Sequence, residues 1–253
     1  MSAPKSERLS IAGIEVKNLD ARETLNLIDQ FVRSRRPHLM FVINASKMVL
    51  AQRDEELKRI LYSADLVTAD GMSVVWASHL FGSALKERIT GIDTLHRLVD
   101  HAAERGYSVY FLGATNESLL ATVEYFRRIY PDLKIAGYHD GYFRNDQEVI
   151  DDIRRCAPDI LFVGMGSPAQ EKWLSKNLQQ LGVPFSMGVG GSFDHIGGRL
   201  KRAPLWMQRA GLEWLFRLLQ EPRRLWKRYL IGNSAFIWII IKEFFSSKKH
   251  KSQ

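Results

Sequence analysis

Cysteine is almost absent from this chain, with Cys156 the only one among 253 residues. A single thiol rules out an internal disulfide and any Cys-based zinc cluster. Its place in the helix-like stretch EVIDDIRRCAPD suits a half-buried side chain in a reducing compartment. Long apolar runs are missing too. No segment reaches the ~20 apolar residues that cross a bilayer. The nearest, Ala235 to Ile241, is bounded by Asn233 and Ser234 before it and by Lys242 and Glu243 after it, so it is expected to dip into an interface and not to span. The opening MSAPKSERLS lacks the apolar core of a secretory signal.

Several catalytic signatures are also absent. The seven histidines are scattered, with no H-x-x-x-H and no H-E-x-x-H, which disfavours a catalytic zinc. There is no D-x-D, and the adjacent Asp151 and Asp152 sit in a polar helical stretch where solvation is expected. Neither G-x-S-x-G, G-x-G-x-x-G nor a P-loop occurs. A dehydrogenase would need a dinucleotide loop after the first strand, and Asn44-Ala45-Ser46 is not one.

What the chain does have is a strongly uneven charge. The net charge is +8, yet 13 of the 36 Lys and Arg lie in residues 199–253, against three Glu and no Asp there. The preceding four-fifths is close to neutral. The basic stretch interleaves its cations with Trp206, Trp214 and Trp226. Such a segment suits an anionic lipid surface or nucleic acid phosphates. The neutral remainder and the lack of a known nucleic-acid motif argue against nucleic acid. Packing of the tryptophans inside the protein is the plainer alternative.

At 45% hydrophobic and 25% charged, the chain has the composition of a folded protein with a full core. Short apolar runs at 38–44, 65–69, 107–113, 132–138, 159–164 and 183–190 alternate with helical patterns, which predicts a Rossmann-like α/β fold with about six parallel strands. LSIAGIEV predicts a small hairpin ahead of the sheet. Asp20 and Glu23 predict a capping box, and Pro168 suits the first turn of the AQEKWLSKNL helix. Composition changes near Gly197 and Gly198, dividing a core of residues 1–198 from a helical, membrane-associating appendage of residues 199–253.

Ligands of open parallel sheets bind beyond the carboxyl ends of the strands. That places Asn44, Thr68, Asp70, the Gly113 loop, the loop from Gly164 to Gln170 and the loop from Gly188 to Asp194 at the expected site. Asp70 follows a buried run and precedes Gly71, so its carboxylate suits a general base; capping the helix MSVVWASHLF is an equal alternative. Arg88 reads first as a solvated surface charge, but the adjoining Thr90 and Gly91 suggest a loop entering a helix at Asp93, from which a guanidinium suits a bidentate clamp on a diphosphate.

TADGMSVVW, ERITGID, GMGSPAQEKW, GVGGSFDHIGGRLKRAP and GLEWLFRLLQEPRRLWKRYL together resemble the signature blocks of the WecG/TagA/CpsF family of bacterial glycosyltransferases, from about Leu9 to about Leu230. The resemblance implies sugar transfer with inversion, without a required metal or other cofactor, from a UDP-sugar to a polyprenyl-diphosphate-linked acceptor in surface polysaccharide or teichoic acid synthesis. The implied donor sugar is of the N-acetylmannosamine type, its uronic acid, or glucose. It places the enzyme at the cytoplasmic membrane face, held there by the appendage, with no nucleic acid partner. Asp70 falls on the family's proposed base, and Asn44, Arg88 and Gln170 on matching pocket positions. Arg217, Arg224 and Arg228 fall in the appendage block where cations neutralise diphosphate, with Arg223 a substitute. Thr68 and Asp194 complete the expected substrate-binding set. INAS departs from the asparagine-proline pattern usual after the first strand.

Overall fold

A computed structural model describes residues 8–251 except Ser83, with the side chains of Arg224, Arg228 and residues 247–251 also outside the described set. A hairpin of β1 (Arg8–Ile11) and β2 (Ile14–Lys17) precedes helix α1 (Ala21–Ser34). The chain then runs through β3 (His38–Ile43), α2 (Ala45–Ala51), α3 (Glu55–Ser63), β4 (Leu66–Ala69), α4 (Met72–Leu80) and α5 (Gly91–Arg105). Next come β5 (Ser108–Gly113), α6 (Asn116–Ile129), β6 (Lys134–His139), α7 (Asp146–Cys156), β7 (Ile160–Gly164) and α8 (Ala169–Leu181). It ends with β8 (Phe185–Gly188), α9 (Ser192–Ile196), α10 (Leu205–Arg209), α11 (Glu213–Gln220) and α12 (Pro222–Lys251).

All six predicted runs become strands of one parallel sheet, ordered β4-β3-β8-β7-β5-β6. Their period of two divides the core between the two faces. Leu39, Phe41 and Ile43 of β3 join a cluster with the hairpin, α2, α3, α7 and α8, whereas Met40 and Val42 join α1, α5 and α6 on the opposite face. Burying both faces is why these strands read as continuous apolar runs and not as alternation.

The predicted hairpin and the reciprocal Asp20–Glu23 capping box both form. Pro168 sits one residue earlier than predicted, at the cap of α8 and not inside it. Asp152 is not simply solvated, because it accepts a 2.6 Å hydrogen bond from the Tyr110 hydroxyl. Cys156 is a free, half-buried thiol.

The basic C-terminal stretch folds back onto the sheet domain. Leu225, Phe236 and Ile240 are buried, and Phe236 and Ile240 join the cluster that contains Met48 of α2. Elsewhere on α12, Ile237, Trp238 and Phe245 are exposed, and Trp206, Trp214 and Trp226 are exposed as well. No helix among the described residues is long and apolar enough to cross a membrane.

Candidate active site

The sheet order makes β3 and β8 neighbours, although the chain leaves them in separate crossovers. The loops beyond β3, β4, β7 and β8 therefore converge, and they enclose a cavity of about 860 Å³ roofed by α11 and α12. Its wall includes Asn44, Asp70, Arg88, Gln170 and Arg217, five of the predicted site residues.

Asp70 is pinned where β4 ends. Its backbone N–H donates to the Ile43 carbonyl at 2.7 Å, and Gly71 then turns the chain with φ +96, a conformation that favours glycine. Gly71 itself takes the cap position of α4, with no side-chain cap bond, so the capping alternative for Asp70 does not hold. The carboxylate is left to face the cavity. The N–H of Ile89 donates to the Ala69 carbonyl at 3.0 Å, which lays the Arg88 segment beside Asp70. Thr90 caps α5, and that helix begins at Gly91, two residues before the predicted Asp93.

Charges from the core and from the C-terminal helices meet around Asp70. Arg88 Nη1 lies 3.4 Å from Glu213 Oε2 at the start of α11. Arg202 grips Asp93 through two bonds of 2.6 and 2.8 Å and brings its Nε to 3.6 Å from Glu213. Burial pushes the Asp70 carboxyl up to about 6, and the nearby Glu213 and Asp93 add to the rise while Arg88 opposes it. Asp93 is partly desolvated, but its bonds from Arg202 and Thr90 outweigh that and hold its carboxyl below the ordinary value. Asp70 thus holds a proton more readily than an exposed aspartate and is ionised at neutral pH.

Arg217 approaches the cavity from α11. Its Nε is buried with no hydrogen-bond partner among the described residues, and its Nη2 would stand 3.7 Å from a Cβ placed on Gly191. Such an unpartnered cationic donor is costly unless a ligand completes it. Burial lowers the proton affinity of neighbouring His195, and the Arg217 charge lowers it further.

Gln170 ties the wall together. Its Oε1 accepts from the Gly190 N–H at 2.9 Å and its Nε2 donates to Glu171 at 2.9 Å. A Cβ at Gly188 would come within 2.7 Å of that Nε2, so a larger residue there would displace the Gln170 amide. Glu171 in turn accepts from Lys47 Nζ at 2.7 Å, fully buried. Lys47→Met is expected to lower stability by about 3–5 kcal/mol in urea unfolding, because it strands the Glu171 charge. Adding Glu171→Gln should recover most of that loss.

Thr68 and Asp194 do not line the cavity. Thr68 is buried inside β4 with its hydroxyl unpartnered, away from the cavity wall. Asp194 faces α6, accepting from Ser118 Oγ at 2.9 Å with Arg199 at 3.7 Å. Asn44 lines the cavity and caps α2, accepting from the Lys47 N–H at 3.0 Å. Arg224 and Arg228 belong to α12, but their side chains lie outside the described residues. Sequence reasoning missed Arg202, Glu213 and Lys47. Arg202 and Glu213 stand within the motif blocks quoted above, but nothing in one sequence says that they pair across to Asp93 and Arg88.

The sequence profile described as "Glycosyl transferase WecG/TagA/CpsF family" matches residues 9–250. Among similar proteins, one from Bacillus spizizenii is 36% identical over 212 residues, covering 83% of this chain and 82% of that one. A Bacillus subtilis protein is 37% identical over 188 residues, covering 74% and 73%. A Staphylococcus aureus protein is 30% identical over 244 residues, covering 96% and 94%. Each of the three is named N-acetylglucosaminyldiphosphoundecaprenol N-acetyl-beta-D-mannosaminyltransferase. With a profile match over nearly its whole length and relatives of this similarity, the chain belongs to the WecG/TagA/CpsF family and is a glycosyltransferase.

Proposed function

We propose that the enzyme moves an N-acetylmannosamine-type sugar from a UDP-sugar to an N-acetylglucosamine carried on a polyprenyl diphosphate, with inversion at the transferred carbon. The observation that carries this reading is the meeting of Asp70, Arg88 and Arg217 on one cavity wall. Asp70 takes the proton from the acceptor hydroxyl as its oxygen bonds to the anomeric carbon. The bond from that carbon to the UDP oxygen breaks, and its electron pair leaves with UDP. A single displacement of this kind inverts the centre.

Arg217 and Arg88 stabilise the charge that builds on the diphosphate. Arg88 starts paired to Glu213 at 3.4 Å, a long contact that a bidentate phosphate partner can replace. Asn44 uses its carbonyl oxygen as a cap, which leaves its amide N–H groups for the sugar or the nucleotide. Gln170 acts by positioning the Gly190 loop. Arg224 and Arg228 match the family's appendage block and are assigned to neutralising diphosphate on that resemblance, and the exposed aromatic and cationic residues of the C-terminal helices hold the enzyme to the inner face of the cell membrane.

The test is a donor panel. UDP-N-acetylmannosamine, its uronic acid and UDP-glucose are each offered with an N-acetylglucosaminyl diphospholipid, and products are read by mass spectrometry and anomeric NMR. The first donor is expected to give an inverted disaccharide lipid. Turnover of another donor alone, or retention of configuration, contradicts the reading.

A further inference from the structure

The cavity that holds Asp70 continues past its charged wall. Leu50 of α2, Trp76 and Leu80 of α4, and Ile237, Ile240 and Ile241 of α12 line its other part. Ile240 is buried at 5% exposure, but Trp76, Leu80, Ile237 and Ile241 are between 43% and 57% exposed. Helix α4, MSVVWASHL, is apolar nearly all round, a pattern that ordinarily belongs to a fully covered helix. Here part of it stands open beside the opposing apolar side chains of α12.

We infer that this apolar wall is a groove for the first isoprene units of the lipid acceptor, with the chain leaving between α4 and α12. The inference rests on the acceptor class proposed above. One cavity joins a cationic part to an apolar part, and an isoprenoid diphosphate joins the same two chemistries covalently. A nucleotide sugar has no alkyl portion for these six side chains to cover. The base also stands at the head of the groove, since Asp70 lies two residues before α4, and Trp76 and Leu80 follow along a helix about 14 Å long. A lipid whose chain lies along α4 is thereby anchored with its sugar end beside the carboxylate.

Titration calorimetry without vesicles tests the groove directly, using farnesyl diphosphate and inorganic pyrophosphate as probes. Farnesyl diphosphate is expected to bind at least about tenfold more tightly, because burying as few as two methylene groups suffices for that ratio. The double variant Leu80→Ser/Ile237→Ser alters two exposed side chains. It should lose the preference and keep its pyrophosphate affinity, which also reports an intact fold. Equal affinity of the two probes for the wild-type enzyme overturns the groove, and so does a preference that survives in the variant. Loss of binding to anionic phospholipid vesicles with the farnesyl preference unchanged means that the wall meets the bilayer instead, and overturns it too. A wild-type enzyme that prefers farnesyl diphosphate but transfers no sugar to a diphospholipid leaves the groove standing and removes the proposed reaction.

Discussion

Asp70→Asn is expected to lower the rate of sugar transfer by about 10³-fold, within the range for loss of a general base, while making the folded protein more stable at neutral pH. The second effect follows from the direction of the proton equilibrium. Burial first, then Glu213 and Asp93, raise the folded-state value to about 6 from an ordinary 3.8. The folded state therefore binds this proton more tightly than the unfolded chain. The resulting stability is present below the unfolded value and is lost as pH rises through about 6. At pH 7.5 the ionised, partly exposed carboxylate costs up to about 3 kcal/mol, which a neutral amide of the same shape avoids. Thermal melting should show a gain for Asp70→Asn at pH 7.5 that fades toward pH 4. A variant that is both inactive and less stable would instead mark Asp70 as a structural residue.

Arg217→Ala and Arg88→Ala are expected to fail differently. Arg217 has a buried Nε without a partner, so its removal should leave stability unchanged or improved. Its loss should cost about 10²–10³ in kcat, the usual effect of deleting one donor to a developing oxyanion. Arg88 lies beside Glu213 and holds down the proton affinity of Asp70. Arg88→Ala should lower kcat as well, and it should also move the acid limb of the pH–rate profile upward, because Asp70 loses the cation that favours its ionised form. Steady-state kinetics over a pH series on the two variants separates these outcomes. An unshifted acid limb in Arg88→Ala would show that the two residues do not interact in solution.

Deleting residues 199–253 is a poorer probe of the C-terminal helices than these single changes. Phe236 and Ile240 belong to a core cluster with residues of α2, α3 and β3, so truncation uncovers the core as well as removing cations. Loss of activity after truncation would not separate the two effects.

Much of the fold was legible because its signals are local or periodic. Six apolar runs at strand length and a capping box at Asp20 need no tertiary information, and each appears in the structure. The placement of Asp70 was also readable, since a carboxylate followed by glycine after a buried run marks a strand end. Its electrostatics were not readable. A capping role would have favoured the ionised form, whereas burial and two acidic neighbours, one of them 143 positions later in the chain, favour the protonated one. Thr68 illustrates the opposite limit. It lies two residues from Asp70, but in a strand that spacing keeps a side chain within the sheet's packing while Asp70 has already left it. The basic tail was correctly seen as helical, yet composition did not reveal that one side of α12 is core and another is exposed. The oxidoreductase and nucleic-acid alternatives gain nothing from the family match or from the geometry of the cavity.

The most direct test of the account is the pH dependence of kcat/KM for transfer to an N-acetylglucosaminyl diphospholipid, measured from pH 4.5 to 8.5 for the wild type and Asp70→Asn. Activity that rises with pH to a plateau, with an apparent pKa near 6, and an acid limb that disappears along with the activity in Asp70→Asn, is the predicted result. A flat wild-type profile across that range, or an Asp70→Asn enzyme that turns over at the wild-type rate, would contradict it.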